Sequence, residues 1–259
     1  MNPTVPAEPR LALPAVSSKS DPERFLYAAA AALLFLIMLL GFQQFYLHGR
    51  GYPDHELAPP IRLLLVAHGL AMTGWMTLFL VQTLLIVSGN GRLHMTLGRL
   101  GAVLAIVMVL LGLWLPIATT RVEPDITLWG LDRRHFMAIP MLSILTFAAF
   151  VAVGISQRRR HEIHRPMMLM ATLTVVAAAS DRITGLPGLF ALSIWGRVFG
   201  PFFPALCIGG VLLAAKWALR LKFDRWFAAG YAAMVGVCAC IMAVAHSRLW
   251  DQFTAFLVR

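Results

Sequence analysis

Long apolar runs alternate with short polar segments along almost the whole chain. The runs cover about residues 25–47, 61–87, 95–119, 136–155, 165–186, 198–220 and 226–248. Each run has roughly the 20 residues that an α-helix needs to cross a hydrocarbon core of about 30 Å. In lipid, segments of this length pair their backbone hydrogen-bonding groups internally as helices. The pattern therefore predicts an all-α bundle of seven transmembrane helices.

The first 24 residues differ from the rest of the chain. They are polar, contain several prolines, and lack the apolar segment of a cleavable signal peptide. We expect a polar tail over residues 1–24 and a single transmembrane domain over residues 25–259.

The distribution of positive charge between the runs predicts the orientation. With seven spans, the tail lies on the same side as the second, fourth and sixth loops between helices, and that side carries thirteen of the 22 Lys and Arg residues. Arg158, Arg159 and Arg160 are the densest group among them. Because short cytoplasmic loops are enriched in Lys and Arg, the N-terminus is predicted to be cytoplasmic and the C-terminus outside.

Composition supports a multipass membrane protein, which we expect in a bacterial inner membrane, and excludes several other classes. The chain is 59% hydrophobic and only 13% charged, which excludes a soluble domain and an intrinsically disordered chain. The net charge of +10 is read as membrane topology rather than nucleic-acid binding. The three cysteines fall inside apolar runs, so no disulfide framework is predicted.

Four histidines repeat at regular intervals. His68 and His94 are 26 residues apart, as are His135 and His161, and the two pairs are offset by 67 residues. The second and third helices thus form a hairpin that resembles the hairpin of the fourth and fifth, as in duplicated membrane folds. His164 offers a second choice at the last position, because its local sequence matches that of His94 better. These helices, residues 61–186, are the predicted cofactor core.

This arrangement suits haem b, which binds between imidazoles on different helices. His68 with His135 would hold one haem near the outer face. His94 with either His161 or His164 would hold a second haem near the inner face. Two haems across the bilayer would conduct single electrons.

The same segments resemble the ascorbate-dependent transmembrane b-type cytochromes, a family of ferrireductases. The motifs are AHGLAM around His68, RLHMTLG around His94, RRHFMAI around His135 and EIHRPMM around His164. The resemblance implies a core of four helices that holds two haems, with these four histidines as iron ligands. The chain also resembles an uncharacterised group of bacterial multipass proteins with LH-x-x-LG and HR-x-x-M turns.

Each histidine also has a structural interpretation. His68 shares one helical stripe with Trp75 and Gln82, and can serve as an imidazole that hydrogen-bonds a neighbouring helix. Gln82 could instead support an iron-bound imidazole. His135, His94, His161 and His164 lie beside arginines, where they can contact lipid headgroups.

Asp181 and Arg182 are charged residues toward the outer end of the fifth helix. A carboxylate at this depth indicates a proton relay or substrate contact, but a structural bridge between helices is slightly favoured.

The leading prediction is a haem-binding transmembrane electron carrier, with oxidoreductase activity left open and a quinol or small reductant as the electron donor. One alternative is a transporter or accessory subunit without haem. The other is a metal-dependent intramembrane hydrolase that uses His68, His135 and Asp181.

Overall fold

A computed structural model describes residues 22–52, 55–220 and 223–258. The predicted polar tail lies outside the described residues up to residue 21. In chain order the helices are α1 (Pro22–Gly41), α2 (Gln43–His48), α3 (Arg62–Val87), α4 (Gly91–Val122), α5 (Arg133–Phe136), α6 (Ala138–Ser156), α7 (His161–Ser180), α8 (Ile194–Phe199), α9 (Phe203–Arg220), α10 (Arg225–Ala245) and α11 (Arg248–Leu257). A short hairpin of β1 (Arg50–Tyr52) and β2 (His55–Glu56) follows α2.

Seven of these segments are long and apolar enough to cross a membrane, which confirms the predicted number of long apolar helices. They contain α1, α3, α4, α6, α7, α9 and α10. The chain therefore has the architecture of an all-α multipass membrane protein.

Helix boundaries differ from the apolar runs because the helices extend into the polar residues that flank the runs. Helix α4 begins at Gly91, four residues before its run, since the Asn90 side chain accepts a hydrogen bond from the backbone of Leu93 at 3.2 Å. Helix α7 begins at His161 and ends at Ser180. Asp181 and Arg182 therefore follow that helix rather than lying within it.

Contacts between helix ends define the two ends of the bundle. We call the end where α1 begins the proximal end. There Glu23 approaches Arg165 of α7 and Lys216 of α9. At the opposite, distal end, Arg133 pairs with Glu123 and the segments that follow α4 and α7 meet.

Helix α7 lies at the centre of the bundle. In its membrane-length window 78% of the residues are buried, the highest share among the seven segments. It packs against α1, α6, α9 and α10. Gly41 of α1 contacts the backbone of Ala179 so closely that a Cβ atom would overlap it. Small residues at such contacts let helices approach, which is how bundles pack in lipid.

A buried ion network closes the proximal end. The ammonium group of Lys216, a residue only 3% exposed, lies 2.8 Å from the carboxylate of Glu23 and also pairs with Asp224. It donates to the Tyr27 hydroxyl at 3.1 Å and faces the Phe227 ring. Charges buried this deeply persist only when they are paired, so the network ties α1, α9 and the start of α10 together.

The segment between α4 and α5 contains a tight turn at Trp129 and Gly130. Both have positive φ angles, 55° and 72°, and Leu128 and Leu131 bond to each other across the turn. A tryptophan pays a conformational cost in this region, so other contacts must hold it there.

Helix α11 ends the described chain at the distal end. Its Trp250 indole donates to the backbone oxygen of Arg134 at 3.1 Å, while Leu249, Phe253 and Phe256 are exposed. An amphipathic helix in this position is suited to lie along a membrane surface.

Candidate functional site

Two histidines meet at the proximal end. His94 lies in the first turn of α4 and His164 in the first turn of α7. Their ring centres are 6.4 Å apart and the ring planes are nearly perpendicular, at 89°. Since α3 and α4 pair as one hairpin and α6 and α7 as the other, the two rings come from different hairpins. We call His94 and His164 the proximal histidine pair.

The His164 ring is held by a backbone hydrogen bond. Its Nδ1 lies 2.8 Å from the carbonyl oxygen of Gly154 near the end of α6. Because a carbonyl oxygen can only accept, Nδ1 carries the proton and donates it. In the neutral ring Nε2 then keeps its lone pair, and this is the arrangement in which metal-binding histidines are usually held.

His94 has a different environment. The Gln82 side chain donates from Nε2 to the His94 carbonyl oxygen at 3.1 Å, which ties α3 to the first turn of α4. Both Nδ1 of His94 and Oε1 of Gln82 are buried, and no group among the described residues hydrogen-bonds to either atom. Buried polar atoms are normally paired, so this corner of the protein has unused hydrogen-bonding capacity.

The structure shows which of His161 and His164 lies next to His94. His161 is the first residue of α7 and is exposed. His164, one turn later, is the residue that comes next to His94. The local sequence context, rather than the 26-residue spacing, therefore identifies the histidine that meets His94.

A cavity of about 530 Å³ opens at the distal end. It lies between α1, α3, α4, α6 and α7, and its volume is within the range of small-molecule binding sites. Its walls are mainly apolar and rich in sulfur and aromatic rings, contributed by Met38, Phe42, Phe45, Met72, Met76, Phe136, Met137 and Phe202. We call this space the distal cavity.

His68 lines the distal cavity, and its buried Nδ1 has no hydrogen-bond partner in the part of the chain that the structure describes. His135 does not line this cavity. Its Nδ1 instead lies 2.8 Å from the Asp132 carboxylate, which also accepts from the His135 backbone at 2.9 Å. His68 and His135 are thus not brought to opposite sides of this cavity.

Asp181 and Arg182 both line the distal cavity just beyond the end of α7. Asp181 accepts a 2.7 Å hydrogen bond from the Trp129 indole. Burial raises the pKa of Asp181 above its usual value, although the Arg182 charge and the Trp129 bond act in the opposite direction. Arg182 donates to the backbone oxygen of Ala178 at 2.7 Å and lies over the Phe42 ring.

The hydrolase alternative requires three ligands around one metal ion. Within residues 22–52, 55–220 and 223–258 there is no group of three His, Cys, Asp or Glu residues able to hold a metal ion. His68 and Asp181 share the cavity, but His135, the third proposed ligand, lies outside its walls.

Two features of these sites are not evident from the sequence. One is the Trp129–Asp181 bond, whose partners are 52 residues apart. The other is the ion pair of Arg133 with Glu123, at 3.2 Å, on the cavity wall. For the Trp129–Asp181 bond, the only sequence signal is the Trp-Gly pair in a polar loop. No feature of the neighbouring sequence indicates the Arg133–Glu123 ion pair.

The sequence matches no protein-family model, and no curated protein or solved structure is detectably similar to the chain.

Proposed function

We propose that this protein is a membrane electron carrier that binds a b-type haem between His94 and His164. The observation that carries the proposal is the 6.4 Å separation of the two ring centres. At this separation both rings could reach one metal ion, because histidine nitrogens bind metals at about 2 Å, and His94 and His164 would then hold the haem iron.

The residues around the pair also fit the group. The backbone bond to Gly154 fixes the tautomer of His164 and leaves Nε2 available to a metal. Gln82 restrains the first turn of α4, which carries His94, through its 3.1 Å bond to the His94 carbonyl oxygen. When bound, haem supplies a one-electron couple at iron, whereas the protein supplies the ligands and sets the potential.

A second haem between His68 and His135 has less support. His68 lines an apolar cavity, but His135 does not line it and is hydrogen-bonded to Asp132. We therefore assign haem to the proximal histidine pair and regard the distal cavity as the place where an electron donor such as a quinol or small reductant would act.

We also propose which end of the protein faces the cytoplasm and in which membrane it lies. The proximal end carries Arg158, Arg159 and Arg160 in the loop between α6 and α7. By the excess of positive charge in short cytoplasmic loops, this end would face the cytoplasm of a bacterial cell, with the protein in the inner membrane.

The test is an optical spectrum of the detergent-purified protein, first oxidised and then reduced with dithionite. We expect sharp reduced α and Soret bands with about one haem per chain. His94→Ala and His164→Ala should each lose these bands. His161→Ala is the matched control, since it removes an exposed histidine at the same end, and it should keep them. Full haem content in both pair variants, or no bands in the native protein expressed with ample haem, would reject the proposal.

A small-solute transporter is the second candidate. The observation that favours it is the distal cavity, where His68 and Asp181 lie in an otherwise apolar space. A featureless spectrum together with a solute-dependent rise in melting temperature would support this candidate over the first.

A further inference from the structure

The distal cavity has an apolar body and a charged rim. Met72, Met76 and Phe136 belong to its apolar wall, whereas Arg50 and Glu56 contribute to the rim. Burial of apolar surface would dominate binding in such a space. A suitable ligand therefore has a mainly apolar body.

The charged residues that line the cavity are balanced in sign, with three arginines and three acidic residues. Arg133 pairs with Glu123 at 3.2 Å, and Asp181 accepts from the Trp129 indole at 2.7 Å. Arg182 donates to a backbone oxygen and lies 4.9 Å from the centre of the Phe42 ring. An anionic ligand would meet as many carboxylates as guanidinium groups, whereas a neutral ligand would be repelled by neither. The rim thus favours neutral molecules.

His68 supplies a polar group on the cavity wall, since its ring lines the cavity. No described residue hydrogen-bonds to the ring; Nδ1 is buried, so Nε2 is the nitrogen that a ligand in the cavity can reach. An imidazole nitrogen donates in one tautomer and accepts in the other. It can therefore donate to a carbonyl oxygen, or accept from the hydroxyl that replaces that carbonyl after reduction. A quinone and its quinol are neutral, largely apolar, and differ in just this way.

We propose that the distal cavity binds a lipid-soluble quinone or quinol, with one ring oxygen hydrogen-bonded to His68. Exchange of electrons between this ligand and the rest of the protein rests on the proposed haem function. Binding of the ligand is independent of that function, because it depends on the cavity and His68 alone.

Titration of the purified protein with a decyl-substituted benzoquinone, followed by calorimetry, tests the proposal. We expect saturable binding by the native protein. His68→Leu should weaken it about fivefold to tenfold, the effect of one lost hydrogen bond to a neutral ligand. His68→Gln keeps a donor and an acceptor and should stay within about threefold of the native value. His48→Leu changes an exposed distal histidine outside the cavity and should have no effect.

A second measurement uses only the native protein. A photoreactive azido derivative of the same benzoquinone should label peptides of the cavity wall, within residues 65–76, 112–120, 136–144 or 174–182, and excess unlabelled quinone should prevent it. No saturable binding, an unchanged affinity in His68→Leu, or labelling confined to segments outside the cavity wall would each overturn the proposal.

The two proposals fail in different ways. Quinone binding by a protein without a haem spectrum would leave the cavity assignment standing and reject the electron carrier. A haem spectrum without quinone binding would reject the cavity assignment alone. Competition by ascorbate, an anionic reductant, would contradict the inference that the cavity takes neutral ligands.

Discussion

Replacement of Lys216 by Met should destabilise the protein through the ion network at the proximal end. The methionine side chain retains much of the lysine's length but removes its charge. Glu23 and Asp224 then lose the ammonium group that pairs with both of them. The remaining carboxylates are largely buried, with side-chain exposures of 10% and 18%.

Removal of one partner from a buried ion pair costs about 3–5 kcal/mol. Three contacts that remain in the variant place Lys216→Met near the lower end of that range. Asp224 still accepts from the backbone of Trp226 at 3.0 Å and Phe227 at 2.9 Å, and Glu23 keeps Arg165 at 3.8 Å. We therefore expect a loss of about 3 kcal/mol, equivalent to a fall of about 6–12 °C in melting temperature for a chain of this size.

Thermal unfolding in detergent, followed by tryptophan fluorescence, measures this effect. Arg159→Met is the matched control because Arg159 is an exposed cation at the same end, and it should melt within about 2 °C of the native protein. A triple variant, Lys216→Met with Glu23→Gln and Asp224→Asn, also removes both carboxylate charges of the triad. It should recover more than half of the loss.

Two results would contradict this prediction. A melting temperature for Lys216→Met within about 2 °C of the control would show that the buried charge contributes little. A triple variant no more stable than Lys216→Met would show that lost packing, rather than the buried carboxylate charges, causes the effect.

Two further predictions concern a helix contact and a carboxyl group. Gly41→Ala should destabilise by about 1–3 kcal/mol because its Cβ would overlap the backbone of Ala179, whereas Gly236→Ala, where the space is open, should melt like the native protein. Burial alone would raise the pKa of Asp224, but Lys216 and two backbone N–H groups outweigh it and hold that pKa below its usual value. Its contribution is therefore complete above about pH 4 and lost as the pH falls through the lowered pKa, so Asp224→Asn should reduce the acid-induced drop in melting temperature. An equally steep drop in that variant would contradict the assignment.

The seven long helices could be predicted because lipid imposes a length on each apolar run. Their ends could not be located to the residue. Asn90 starts α4 before its apolar run, and α7 begins at His161 among polar residues that a hydropathy pattern excludes. Caps depend on single hydrogen bonds, which carry little weight in an average over twenty residues.

The candidate site was predictable in part. The sequence placed His94 at the same end of a seven-helix topology as His161 and His164, but left open which of the two meets it. It did not indicate that His135 would bond to Asp132 rather than line the distal cavity. The sequence also does not predict the Trp129–Asp181 hydrogen bond, since its partners are distant in the chain and neither lies in a periodic segment.

The proximal ion network also constrains the order in which the protein can be completed during synthesis. Lys216 follows Tyr27 by 189 residues, and Glu23 belongs to the same first turns of α1. At about 5–20 residues per second, the ribosome needs on the order of 10–40 s to make that stretch. During this interval α1 has been made while its lysine partner does not yet exist, and Arg165 becomes available to Glu23 part of the way through. The last helices therefore complete the packing of the first, and a chain truncated before α9 would leave Glu23 without Lys216.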